Sequence, residues 1–173
     1  KVNISLDKYN KTKTFEFDHV FSENEKTFTI YLKNEKKYID SNQNFICYTF
    51  GETGSGKTFT LFGSDKSAGL IETALYELIK LHNSVTVSSF EIYNNQLYDL
   101  INKRMKLTML ESECDTCIPL LQKYECTKNN IFSLLKNIKS NRIVGESSQN
   151  ETSSRSHAVI NMKVNDINYI FVD

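Results

Sequence analysis

Phe45-Ile46-Cys47-Tyr48-Thr49-Phe50-Gly51-Glu52-Thr53-Gly54-Ser55-Gly56-Lys57-Thr58 decides the fold. Its first part, Phe45–Phe50, is a continuous apolar run. Such a run predicts a central strand buried on both faces. Gly51–Thr58 then fits G-x-x-x-x-G-K-[ST], between that strand and the start of a helical pattern. Glycines let the backbone curl around an anion without Cβ clashes. Successive N–H groups then point inward at phosphate oxygens, and the helix that follows adds its positive end. In that arrangement Lys57 reaches the terminal phosphates and the Thr58 hydroxyl ligates Mg²⁺. The alternative, a glycine turn beside a surface lysine, does not account for the strand–loop–helix context.

Working outward, the chain of 173 residues has the length of one domain. Its 11 Phe and 9 Tyr are too many for a solvated, disordered chain. No apolar run is long enough to span a membrane. Basic and acidic residues balance at 21 each, which argues against a broad electrostatic grip on nucleic acid but not against one local phosphate site. Four cysteines are too few for a disulfide framework, and a reducing compartment is the simpler reading. Cys114-x-x-Cys117 with Cys126 suggests soft metal ligands, but no fourth ligand is evident beyond Cys47 or His82. Incidental thiols are the plainer account.

The remaining pattern interleaves strands and helices. Short edge strands are expected within residues 1–21. Ser22 and Glu25 have capping-box spacing ahead of a helical face made by Phe28, Tyr31, Leu32, Tyr38 and Ile39. Gly69–Leu81 is amphipathic through Leu70, Ile71, Ala74, Leu75, Leu78 and Ile79. Val85–Tyr93, Lys106–Leu110, Leu120–Tyr124, Ala158–Val164 and Ile167–Val172 read as strands. Thr127–Arg142 reads as a helix capped by Thr127, with Ile131, Leu134, Leu135 and Ile138 inward. The class is α/β, a phosphate-loop NTPase sandwich of three layers with a mixed sheet flanked by helices.

Four further motifs choose among such NTPases. Asn150-Glu151-Thr152-Ser153-Ser154-Arg155-Ser156-His157 reads N-x-x-S-S-R-S-H, after a helix and before a strand. Tyr169-Ile170-Phe171-Val172-Asp173 is an apolar strand ending in a carboxylate. Phe15–Phe21 reads F-x-F-D-x-V-F, and Phe90–Asn95 with Leu97–Leu100 reads E-I-Y-N-x-x-L-x-D-L. Together with the loop at 51–58, these resemble the kinesin motor domain across nearly the whole chain, and Arg142 matches a basic position of that family. A myosin is disfavoured by the Ser156-His157 ending. A GTPase is disfavoured by the lack of an N-K-x-D motif.

The resemblance implies a microtubule-based ATPase that takes ATP or ADP with Mg²⁺. It assigns nucleotide contacts to Gly51, Glu52, Thr53, Gly54, Ser55, Gly56, Lys57, Thr58 and Phe59. It assigns the metal to Thr58, Ser154 and Asp173. It gives Asn150, Ser153, Ser154 and Arg155 the catalytic positions of switch I (residues 150–157): Ser153 and Asn150 place the attacking water and γ-phosphate, and Arg155 pairs with an acid of switch II, which Asp173 begins. Phosphoryl transfer is mostly positioning and charge stabilisation, so such groups suffice without a strong base. His157 is expected to orient its loop by hydrogen bonds. The implied partners are microtubules, with no nucleic acid and no membrane span. The implied location is the cytoplasm and its cytoskeleton, on microtubules or spindle.

Departures from the family pattern are also plain. No R-x-R-P motif is present, Glu52 stands where Gln is common, and L-A-G-S-E is not reached after Asp173. A segment of a longer motor domain is the favoured expectation. A shortened, degenerate kinesin-like module that binds nucleotide or a partner without turnover is the alternative. Subfamily, direction, cargo and oligomeric state are set outside these motifs.

Overall fold

The computed structural model describes residues 2–6, 11–111, 116–118, 120–146 and 156–173. An N-terminal hairpin pairs β1 (Val2–Leu6) with β2 (Lys11–Phe15). Then come α1 (Thr27–Lys33), α2 (Lys36–Asp40), β3 (Phe45–Tyr48) and α3 (Lys57–Phe62). A small hairpin, β4 (Gly63–Ser64) and β5 (Ser67–Ala68), leads into α4 (Leu70–His82). The long β6 (Ser84–Tyr93) is followed by β7 (Gln96–Asp99), β8 (Lys106–Leu107), β9 (Leu110–Glu111), β10 (Thr116–Cys117) and β11 (Tyr124–Thr127). The chain ends with α5 (Ile131–Glu146), β12 (Ser156–Val164) and β13 (Ile167–Val172).

The main sheet has seven strands in the order β3-β13-β12-β6-β7-β8, with β11 also on β6. Pairings are antiparallel except β13 with β3, so the sheet is mixed. Turn chemistry sets the register. Asn94 and Asn95 both take positive φ between β6 and β7, as a tight hairpin turn requires. Asn165 does so between β12 and β13.

One sheet face is built from alternate residues: Val85 and Val87, Ala158, Ile160 and Met162, Tyr169 and Phe171. These join the inward faces of all five helices in one core. On α4 the stripe Ile71, Ala74, Leu75, Leu78 is fully buried, and on α5 it is Ile131, Leu134, Ile138. That stripe is the helical period the sequence predicts. The class is α/β with helices flanking a mixed sheet, and the described helices form the layer on this face.

The other face differs from expectation at β3. Among the described strands β3 lies at the sheet edge and pairs with β13 alone. Ile46, Tyr48 and Phe50 point outward and are 67%, 57% and 90% exposed. A strand buried on both faces is therefore corrected to one buried on a single face. Phe45, Cys47 and Thr49 face inward, where the Phe45 ring meets Tyr169 and Phe171 at 5.6 and 5.5 Å.

Smaller corrections have local reasons. Ser22 does not cap a helix: its carbonyl closes a turn with the Glu25 N–H, and α1 starts after Lys26. The single helical face expected over residues 28–39 is broken into α1 and α2 at Asn34–Glu35. Tyr31 and Ile39 are buried while Phe28 and Leu32 are exposed. The strand expected at Leu120–Tyr124 lies at Tyr124–Thr127, where Cys126 enters the core opposite Val85. Thr127 belongs to that strand. Its N–H donates to Asn130 Oδ1 just before α5.

Candidate functional site

β3 delivers the chain to its loop at the edge of the sheet. Gly51, Gly54 and Gly56 all carry positive φ, at 158°, 83° and 89°. At Gly54 and Gly56 a side chain would find space but a strained backbone. Glycine is thus required there by conformation rather than by crowding. Gly56 stands directly before α3 in the left-handed region and turns the loop into the helix.

Lys57 folds back over this loop. Its Nζ donates to the Gly51 and Glu52 carbonyls at 2.9 and 2.8 Å. The ammonium is therefore held at the loop's mouth by two neutral acceptors. The Glu52 side chain is exposed, and Glu52 is one of the residues lining the cleft beside the loop.

Asp173 gathers the other half of the site. It follows β13, and its backbone exchanges hydrogen bonds with Ala158 of β12 at 2.9 and 3.0 Å. Three side chains reach its carboxylate. Thr58 Oγ1 donates to Oδ2 at 2.7 Å. Thr49 Oγ1 donates to Oδ1 at 3.4 Å and to the Val172 carbonyl at 3.2 Å. Arg142 of α5 forms a buried ion pair with Oδ2. Arg142 and Asp173 are only 6% and 7% exposed. The Arg142 guanidinium also lies 5.4 Å from the Phe62 ring centroid.

These groups line one cleft of about 630 Å³. Its walls are Tyr48, Thr49 and Phe50 from the strand, the loop from Gly51 to Gly54, Gly56–Phe59, and then Arg142, Ser156, His157 and Asp173. The volume lies in the range of small-molecule and cofactor clefts. Phe59 is half exposed on this wall. The cleft opens at the carboxyl ends of β3 and β13, where ligands of open α/β sheets bind.

The donor set fits a magnesium-bound nucleotide. Thr58 and Asp173 bring a hydroxyl and a carboxylate oxygen to one point, and hard oxygen ligands suit Mg²⁺. A glycine loop with positive φ and a lysine beside it suits phosphate. Of the expected site residues, the structure brings Gly51–Gly54, Gly56–Phe59 and Asp173 to one cleft, with Ser55 in the same loop but not among the lining residues. Asn150, Ser153, Ser154 and Arg155 lie outside the described residues, as does Cys114. The last two residues of that motif, Ser156 and His157, open β12 at the cleft wall, Ser156 buried and His157 exposed.

Two site residues are absent from the nucleotide and metal positions assigned above. Arg142 was visible as a family position, yet its signal was also physical: it continues the buried stripe Ile131, Leu134, Leu135, Ile138. A cation on the apolar face of a helix demands a buried acid. Thr49 gave less signal, since a β-branched residue in a strand needs no explanation.

The comparisons with known proteins agree with this geometry. The family model for the kinesin motor domain matches residues 1–170. The chain is 31% identical over 180 aligned residues to "Kinesin-like protein KIF24" of Homo sapiens and to its Mus musculus counterpart, covering 96% of the chain. It is 30% identical over 171 residues to "Kinesin-like protein KIN-13B" of Arabidopsis thaliana, covering 95% of the chain. The chain belongs to the kinesin motor-domain family, a family of microtubule motors. It spans 13% of the length of the two KIF24 relatives and 25% of KIN-13B.

Proposed function

We propose that this chain holds Mg²⁺-ATP and its product ADP in the cleft at the ends of β3 and β13, as the nucleotide-holding part of a microtubule-linked ATPase. The observation that carries the reading is the convergence of Thr58, Arg142 and Thr49 on the Asp173 carboxylate beside the glycine loop. The backbone of Gly54, Ser55, Gly56 and Lys57 receives the phosphates. Lys57 exchanges its two carbonyl partners for phosphate oxygens, a charge-assisted contact in place of neutral ones. Thr58, Asp173 and Ser154 hold the metal, which when bound neutralises charge on the phosphate oxygens. Arg142 is a positioning residue: it orients Asp173 without touching nucleotide. Phe59 offers its exposed ring to the base. Asn150 and Ser153 orient the attacking water and the γ-phosphate, and Arg155 pairs with an acid of switch II. The microtubule, and a cytoskeletal location, follow from kinship with the kinesins, as does coupling of hydrolysis to movement.

The test is thermal unfolding of the 173-residue chain with and without Mg·ADP. Ligand at about 100 times its Kd adds about 2.7 kcal/mol. For a chain of this size that raises Tm by roughly 5–11 °C. Lys57→Ala should unfold like the parent without ligand and lose the rise. A cooperative melt with no rise in the parent chain refutes the nucleotide reading. A rise without steady-state phosphate release, on addition of Mg·ATP and microtubules, supports binding without turnover.

A further inference from the structure

Glu35 stands at the break between α1 and α2, facing Cys47 of β3. It is a carboxyl group only 6% exposed. The Cys47 thiol donates to Oε1 at 3.6 Å, while Oε2 is buried with no hydrogen-bond partner. No ion pair to Glu35 exists among the described residues. The neighbouring lysines are engaged elsewhere: Lys36 pairs with Asp40, and Lys37 lies over the Tyr38 ring.

Besides Lys36 and Lys37, the titratable groups named around this corner among the described residues are acids and phenols. Tyr31 of α1 feels Glu77 of α4, Asp40 of α2, Glu35 itself and Tyr169 of β13. Both the Tyr31 and Tyr169 hydroxyls are buried without partners. Asp18 and Lys37 line the cleft of about 450 Å³ beside Glu35 and Cys47. A buried carboxylate without a counter-ion is costly, and the group neutralises instead.

We propose that Glu35 is a proton-carrying acid that latches the α1–α2 corner onto β3, so that ionising it loosens the strand that feeds the phosphate loop. Burial raises the Glu35 pKa above the ordinary carboxylate value, and hydrogen bonds from its own backbone N–H and from Cys47 only partly oppose this. Burial, the largest cause, pushes the Cys47 thiol well above its ordinary 9.0. The thiol therefore stays protonated and remains the donor. In the unfolded chain Glu35 ionises near the usual 4.5. Stability from the neutral acid is fully present below that point. It is lost as pH rises through the higher folded value.

The experiment compares the parent chain with Glu35→Gln, which keeps an acceptor for the thiol and cannot ionise. Unfolding is followed from about pH 4.5 to about pH 9 without nucleotide, so the outcome is independent of the nucleotide reading. The ratio of the two folding constants should fall with rising pH, by up to tenfold per pH unit, then level off. Amide protection at Ile46–Tyr48 should drop across the same window in the parent and hold in Glu35→Gln. A flat ratio overturns the proposal, as does unchanged strand protection while the ratio falls. If Glu35→Gln does not fold, the infrared band of a protonated carboxyl that persists in the folded parent above the ordinary carboxylate range supports the proposal, and its loss within that range overturns it.

Discussion

Breaking the Arg142–Asp173 pair is the sharpest test of how the site is held. Both partners are almost fully enclosed, so water cannot screen the charge left behind. Removing one side of a buried pair costs about 3–5 kcal/mol, because the remaining charge is stranded. In Arg142→Met, Asp173 keeps its hydrogen bonds from Thr58 and Thr49, which places the cost toward the lower end. Asp173→Asn strands the guanidinium, whose Nε is already unpartnered, and should cost at least as much. The double variant Arg142→Met with Asp173→Asn leaves no charge unpaired. Its total loss should fall short of the sum by roughly 2–3 kcal/mol. In a chain of this size each single variant should lower Tm by roughly 6–20 °C. The assay is urea unfolding of all four proteins without nucleotide or metal, read by far-ultraviolet circular dichroism. Additivity within about 0.5 kcal/mol would refute the reasoning and make Arg142 a packing residue against Phe62 alone.

Two other perturbations test the packing that frames the site. A Cβ at Gly63 would sit 2.2 Å from the Ser67 carbonyl oxygen, on a residue with φ of 68°, so Gly63→Ala should cost about 2 kcal/mol or more in chemical unfolding. Phe171→Ala, on the covered sheet face, should cost about 3–5 kcal/mol, whereas Phe50→Ser should change stability by less than about 0.5 kcal/mol; equal losses would mean that both faces are covered in solution.

Much of the fold was legible because local and tertiary demands agree. The stripe Ile71, Ala74, Leu75, Leu78 is both a good helix and a buried face, and the structure keeps it as α4. Val85–Tyr93, Ala158–Val164 and Ile167–Val172 read as strands and stand as β6, β12 and β13, whereas β7 and the positive-φ turns at Asn94-Asn95 and Asn165 were not read from the sequence. The environment of β3 was not legible. Ile46, Tyr48 and Phe50 are as apolar as Phe45 and Cys47, and composition alone says only that both faces avoid water. Which face is covered depends on where the helices pack, a tertiary fact. The loop was readable from its glycines, since positive φ is a local demand. The Glu35–Cys47 contact was not, because residues on different elements carry no shared pattern. Arg142 lay between these cases: a charge in an apolar stripe signals a partner but not which one.

The pairing of β3 with β13 shows why the site can exist only in this register. It is the one parallel pairing among the described strands of the sheet. Parallel alignment brings the carboxyl ends of both strands to the same edge, with Tyr48 opposite Val172. Thr49 and Asp173 follow directly, and Thr58 comes back to Asp173 after one turn of loop. A slip of one residue along β13 would turn Asp173 to the outer face and Val172 inward. Arg142 would then lie in the core with no acid to meet it. The same ion pair that orients the carboxylate therefore penalises the wrong register. The apolar alternation of Tyr169 and Phe171 against Ile170 and Val172 is a weaker guard, because all four are hydrophobic. On this argument the buried charge pair specifies the alignment that brings the loop threonine and the strand carboxylate together, while hydrophobic burial supplies most of the stability.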